Sequence, residues 1–458
     1  MRQAIAAGRL LRLSRWPMRE LLDRARARFL AATAYPPRDS DPRAWCAGIA
    51  ALFLGLLLLR LGVPERIYFD EVHYVKAARV LLSMAKPINP EHPLVGKELI
   101  ALGIRLFGDE PWAWRIMPAL FGTLGLYAFS RALWLASQLR FATIAGTVLL
   151  ATSFSWFVMS RIAMLDIFMA SFVMLAMWML AGAVRSPAQG RWRLILAGLF
   201  IGLALGAKWN ALSVAAAPGL AFLVMRLRRH GRNFMLAAEG APVPGISLAE
   251  AGLWLGTLPL LVYFASFLPA FFYETKPIDP LKIVEYQGYM LKLQHSVVKH
   301  HPYQSVWWQW VLDSRSIWFL YENVDGAQRG VVMLGNPFAM WAGLPALGWA
   351  LWAGWRHKRR DCLAAAVLYF VSIGMWVANG KPIQFYYHYL LPGAFLMACL
   401  ALALDALWRR EDRWRWLGPG AVVVALALFV TFWPILSAAK LCCGKPSFEW
   451  WMWLPSWR

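Results

Sequence analysis

A succession of long, uncharged apolar runs constrains this chain more than any other feature. AWCAGIAALFLGLLLL (44–59) and LWLGTLPLLVYFASFLPAFF (253–272) are two of them. Each is close to the ~20 residues that cross a ~30 Å hydrocarbon core. In lipid such a run satisfies its backbone hydrogen bonds only by coiling into a helix. Composition agrees: 60% of the residues are hydrophobic and 16% charged, against about 25% charged in average soluble domains. The expectation is an all-α polytopic membrane protein.

The ends of the runs carry the orientation. A basic arm, 1–43, holds Arg2, Arg9, Arg12, Arg15, Arg19, Arg24, Arg26 and Arg28 and is expected on the inner side. Eleven spans are predicted, at 44–62, 115–137, 141–159, 162–184, 194–207, 209–225, 249–271, 337–355, 362–378, 390–408 and 417–437. The N-terminus is then in and the C-terminus out. The basic loops RSPAQGRWR (185–193), RLRRHGR (226–232), RHKRR (356–360) and RREDRWR (409–415) all fall inside. The organisation follows: arm 1–43, an N-terminal membrane module 44–271 with an outer loop 63–114, an outer loop 272–335, and a C-terminal module 336–458 with an outer tail.

The formal charge of +22 would suggest nucleic acid in a soluble protein. Here the basic residues sit at the ends of apolar runs, which assigns them to topology and argues against nucleic acid. Cys46, Cys362, Cys399, Cys442 and Cys443 lack metal-site spacing. The first three read as inert core thiols; the adjacent last pair leaves open a disulfide to a partner or a structural role. No cleavable signal peptide is expected. Trp307, Trp308, Trp310, Trp450, Trp451, Trp453 and Trp457 suit an interfacial aromatic belt.

The unusual polar residues gather in the two outer segments. Asp70 and Glu71 follow the first span closely, at the lipid boundary, where ionisable groups are costly and tend to be functional; solvated loop charges are the plain alternative. YVKAARVLLSMA and EHPLVGKELIALGIRLF read as short helices, the second with Pro93 near its first turn. Residues 280–298 read as an amphipathic helix lying in the interface. Arg161 and Asp166 flank a span entry and are spaced to pair with each other. Lys208, in GAKWNAL, is an outer cation in an apolar hairpin and breaks the inside-positive trend. A lipid-borne phosphate would give it a partner.

With those residues in order, the chain resembles the protein O-mannosyltransferases, lipid-carrier-dependent enzymes of the C-type glycosyltransferase membrane fold. The matching segments are FDEVHYVKAA (69–78), HPLVGKELIALG (92–103), SRIAMLD (160–166), KWNAL (208–212), HPYQSVWWQW (301–310), GNP (335–337) and FYYHYLLP (385–392). The family's usual HPPLGK is HPLVGK here. There is no room for the β-trefoil repeats of the eukaryotic members, which implies a bacterial-type enzyme of the inner membrane, with its site on the periplasmic face.

The resemblance implies a polyprenyl-phosphate sugar donor, mannose first, and an acceptor hydroxyl on the outer side, in a protein or a glycan. It implies an inverting displacement with Asp70 as catalytic base and Glu71 orienting acceptor or sugar. Arg161 and Lys208 would neutralise the leaving phosphate. His92, Asp166, His301, Tyr387 and His388 complete the expected substrate-binding set. No metal, nucleotide or other cofactor is expected; membrane lipids are the remaining partners, and oligomeric state is left open. A related transferase with another sugar and acceptor, such as aminoarabinose and lipid A, and a transporter of the lipid carrier are the competing readings. The charges crowd one membrane face, which fits one-sided chemistry better than transport.

Overall fold

The structure is a computed structural model describing residues 20, 23, 27, 39–296, 299–442 and 445–458. The arm's Arg2, Arg9, Arg12, Arg15, Arg19, Arg24, Arg26 and Arg28, and Cys443, lie outside the described residues. Ten helices build the first module and its outer loop: α1 (Arg43–Leu58), α2 (Glu71–Ser83), α3 (Val95–Phe107), α4 (Pro111–Ser137), α5 (Arg140–Ala151), α6 (Phe154–Met159), α7 (Leu165–Arg185), α8 (Gly190–Ala207), α9 (Leu212–His230) and α10 (Leu248–Phe272). After them come α11 (Ile283–Ser296), α12 (Trp307–Val311), the antiparallel strands β1 (Ile317–Val324) and β2 (Ala327–Met333), then α13 (Pro337–Arg356), α14 (Arg360–Ala378), a 3-10 turn Tyr386–Tyr389, α15 (Leu390–Trp408) and α16 (Leu417–Leu436).

Every predicted apolar run coincides with a helix or a pair of helices. Among the described residues eight helices are long and apolar enough to cross a membrane. The protein is a multi-pass membrane protein. Helix α15 is buried on nearly all sides, as expected of a helix that is apolar all round. Helices α9, α10 and α16 instead turn residues such as Leu220, Leu260 and Val423 outward.

Close packing follows small residues, as in other membrane bundles. On α4, a Cβ at Gly122 would collide with the Ser160 side chain, so the segment ahead of α7 seats that side chain directly on the α4 backbone. Asn336 of the GNP motif is an organiser of the fold. It caps α13 by accepting from the Ala339 N–H, and its amide donates to Thr152 O at 3.3 Å and Ala425 O at 2.9 Å.

The outer segments hold the short helices α2, α3 and α11, as read from sequence, and one element that was not. Residues 317–333 form a two-stranded hairpin turning at Asp325 and Gly326, both at positive φ. An Asp-Gly pair between two β-rich runs specifies this type of turn. The predicted aromatic belt needs correction at two positions. Trp308, Trp450 and Trp453 are exposed, but Trp310 and Trp457 are wholly buried. Trp310 donates to Ser305 Oγ, and Trp457 to the backbone oxygen of Asp313. Cys46, Cys362 and Cys399 are buried and Cys442 is exposed.

Candidate active site

The neighbouring carboxylates Asp70 and Glu71 are in opposite states. Glu71, at the first position of α2, is fully buried. It takes a bidentate pair from Arg115 of α4 at 2.8 and 2.9 Å, plus the N–H groups of Tyr68 and Ala163. Arg115 spends its other donors on Leu61 O, Pro64 O and Arg66 O. The expectation that Glu71 orients acceptor or sugar is therefore corrected: its oxygens are saturated, and it ties the outer loop to the bundle. Breaking a buried pair on one side costs about 3–5 kcal/mol. Glu71→Gln should accordingly lower the detergent melting temperature and the yield of folded protein, together with activity. A variant with normal stability would refute this structural role.

Asp70 sits at the N-cap of α2 yet makes no capping bond. Among the described residues its carboxylate has no hydrogen bond and no ion pair. Burial pushes its carboxyl up to about 6, opposed by the charge of Lys208 and, less strongly, by His73 and Lys381. The acid is thus crowded, unpaired and within the field of two lysines.

Those lysines define the rest of the cluster. Lys208 lies between α8 and the start of α9, is almost fully buried and donates to Asp166 at 2.7 Å. Its ammonium also stands 5.0 Å from the centre of the Tyr387 ring. Lys381, in the loop after α14, has no side-chain partner among the described residues. Burial and the charge of Lys208 push its amine down to about 8.

His388 follows Tyr387 and stacks on Trp376 with ring centres 3.9 Å apart. Its Nδ1 accepts from the Phe385 N–H at 3.0 Å, so the neutral ring carries its proton on Nε2, which is buried and unpartnered. His92 is set edge-on to Tyr74, with Nδ1 buried and unpartnered. Burial first, then Lys208, Lys97 and Lys381, hold its pKa well below the usual histidine range. Lys97, one turn into α3, donates to His92 O at 2.7 Å and fixes the turn that presents it.

Two expected members are elsewhere. Arg161 does not pair with Asp166. Its guanidinium caps the carbonyl end of α1, bonding Leu56 O, Leu57 O and Arg60 O, and lies over Phe157. Exposed carbonyls at a helix C-terminus attract a cation, and Asp166 takes Lys208 instead. His301 packs its ring on Phe385 and its Nδ1 accepts from the Tyr303 N–H. The structure thus brings together Asp70, His92, Asp166, Lys208, Tyr387 and His388, and leaves Glu71, Arg161 and His301 outside. Lys381 was not singled out from sequence, although an outer lysine breaks the inside-positive trend just as Lys208 does. Among the described residues no group of three or more His, Cys, Asp or Glu side chains gathers as a metal site would.

Two family profiles match in sequence order. Dolichyl-phosphate-mannose-protein mannosyltransferase covers residues 48–273, and the C-terminal four-helix region of protein O-mannosyltransferase covers 281–457. The chain belongs to the protein O-mannosyltransferase family. Relatives include the polyprenol-phosphate-mannose–protein mannosyltransferase of Mycolicibacterium smegmatis, 29% identical over 92% of this chain and 95% of that one. The Mycobacterium tuberculosis protein of the same name is 29% identical over 85% and 86%.

Among solved structures, the S. cerevisiae Pmt1-Pmt2 complex with its sugar donor superposes at a TM-score of 0.78, at 14% identity, over 93% of this chain and 94% of that chain. Cupriavidus metallidurans ArnT bound to undecaprenyl phosphate gives 0.55 at 17% identity, over 85% of this chain and 64% of that one. Both establish the C-type glycosyltransferase fold for this member of the mannosyltransferase family.

Proposed function

We propose that the chain transfers mannose from polyprenyl-phosphate mannose to serine or threonine hydroxyls of proteins, with inversion, on the outer face of a bacterial inner membrane. The observation carrying the chemical part of this reading is the unpaired Asp70 carboxylate beside the Lys208–Lys381 pair of cations. A hydroxyl is a poor nucleophile until its proton has somewhere to go, and general-base help is worth about 10²–10⁴ in rate. Asp70 accepts that proton as the acceptor oxygen bonds to the anomeric carbon. The bond from that carbon to the phosphate oxygen breaks, and its electron pair leaves with the carrier phosphate.

Lys208, Lys381 and the Nε2–H of His388 are the donors for that phosphate. Lys208 has three N–H groups, of which Asp166 takes one. His92, held neutral, is a hydrogen-bonding group for sugar or phosphate rather than a charge. Neutralisation by side-chain cations, and energy stored in the donor, make a reading that requires no nucleotide and no metal.

Relatives named as polyprenol-phosphate-mannose–protein mannosyltransferases support the choice of donor and acceptor. The decisive experiment incubates the purified protein, in detergent, with radiolabelled polyprenyl-phosphate mannose and a serine/threonine-rich peptide. The expected result is label on the peptide and equimolar carrier phosphate. Unchanged donor would overturn the reading. Label on a glycolipid in place of the peptide would redirect it to another acceptor.

A further inference from the structure

We propose that Phe319, on the hairpin, is a positioning residue for Asp70: stacked on Phe69, it holds the backbone turn that presents the carboxylate. The inference rests on Asp70 being the reacting base.

Three irregularities meet at this point. Phe69 has φ +50, a left-handed conformation that a bulky non-glycine residue adopts only where its surroundings enforce it. The enforcing contact is its ring, which lies flat on Phe319 with centroids 4.0 Å apart and planes 15° apart. Tyr387 meets Phe69 edge-on at 6.2 Å.

The second irregularity is in the hairpin. Trp318 pairs with Val332 and Leu320 with Val331, so Phe319 is the extra residue of a β-bulge. Bulges occur beside active sites, where they re-aim a side chain. The third is the course of the loop before Asp70. The Glu65 N–H donates to Asp325, Arg66 pairs with Glu322, and Phe69 covers Phe319. Residue numbers rise along the loop as they fall along β1, so the loop runs antiparallel to the strand and is registered on it.

The hairpin is itself fixed to the tail that follows α16. Trp318 and Ser316 both donate to Trp457 O, and the Leu441 N–H donates to Gln328 O. A rigid strand thus sets the loop that ends in Asp70. Removing the flat ring lets Phe69 relax toward ordinary backbone angles, swings the carboxylate and admits water to it.

The test uses full-length protein with polyprenyl-phosphate mannose and peptide. Phe319→Leu keeps the apolar volume and loses the stack. It should lower kcat roughly 10- to 100-fold, the scale of a small misplacement of a reacting group, and leave the donor KM within about twofold. Water around Asp70 should also move the acid limb of the kcat profile down by about one pH unit, because burial is what holds that carboxyl up. The charged groups whose fields also set that limb are Lys208, His73, Asp166 and Lys381; on the hairpin side Arg66 and Glu322 pair with each other. Phe69→Leu should give the same signature, and Phe319→Tyr, which keeps a flat ring, should restore turnover. In the Phe69→Leu background, Phe319→Leu should add little.

A Phe319→Leu enzyme with normal kcat, or one whose loss lies in folded yield with the acid limb unmoved, would overturn the inference. If Asp70→Asn is inactive while Phe319→Leu is normal, the positioning role alone falls. If Asp70→Asn turns over normally, both readings fall.

Discussion

Asp70→Asn should insert and fold normally and lose transfer by about 10²–10⁴, the range of a general base. Its side chain makes no hydrogen bond among the described residues, so the amide breaks none. Stability should even rise at neutral pH. Burial pushes the folded carboxyl up to about 6, above its ordinary value of 3.8. Between those values the folded state holds the proton more tightly, so stability falls as pH rises from about 3.8 to 6, and the penalty is fully present above that window. The asparagine variant escapes the penalty. In the wild type, turnover should fall as pH drops through about 6, because the base is then protonated. The measurement is kcat against pH, with detergent melting curves for both proteins. An active Asp70→Asn enzyme, or a wild-type profile flat from pH 5 to 8, would remove Asp70 from the chemistry.

That experiment separates Asp70 from Glu71, which the sequence does only through the family resemblance and not through the residues' own chemistry. Adjacent carboxylates look alike until Arg115, 44 positions on, is seen to saturate one of them. The same limit explains Arg161. Its spacing to Asp166 suggests a local pair, but the competing partners are the carbonyls of α1, about 100 residues earlier. Spans, by contrast, are legible because each apolar run must satisfy its own backbone in lipid, whatever its neighbours do. Asp-Gly at 325–326, between IWFLYENV and AQRGVVM, is also a local signal, and it announces the hairpin without tertiary knowledge. Phe319 lies on the far side of that limit. Nothing in one strand's sequence tells that a bulge will bring it against Phe69.

Replacing Lys208 should produce the largest combined loss of stability and turnover, and dissecting it tests how one lysine serves both. Lys208→Met strands Asp166 as a buried charge without its partner, a cost of about 3–5 kcal/mol, so little folded protein is expected. Lys208→Met with Asp166→Asn removes both charges together, and replacing a buried pair by neutral groups is often harmless to the fold. Folded protein should therefore return. Turnover should not, because the leaving phosphate has lost a cation aimed at the charge it develops, an effect of roughly 10²–10³ in kcat. Lys381→Met, with no side-chain partner to strand among the described residues, should fold normally and lose turnover by a smaller factor, since Lys208 still faces the phosphate. Lys208→Arg should keep the ion pair and part of the rate. Melting curves and single-turnover release of carrier phosphate read the two effects separately. A double variant that both folds and transfers at the wild-type rate would show that Lys208 only holds Asp166 and takes no share in the leaving group.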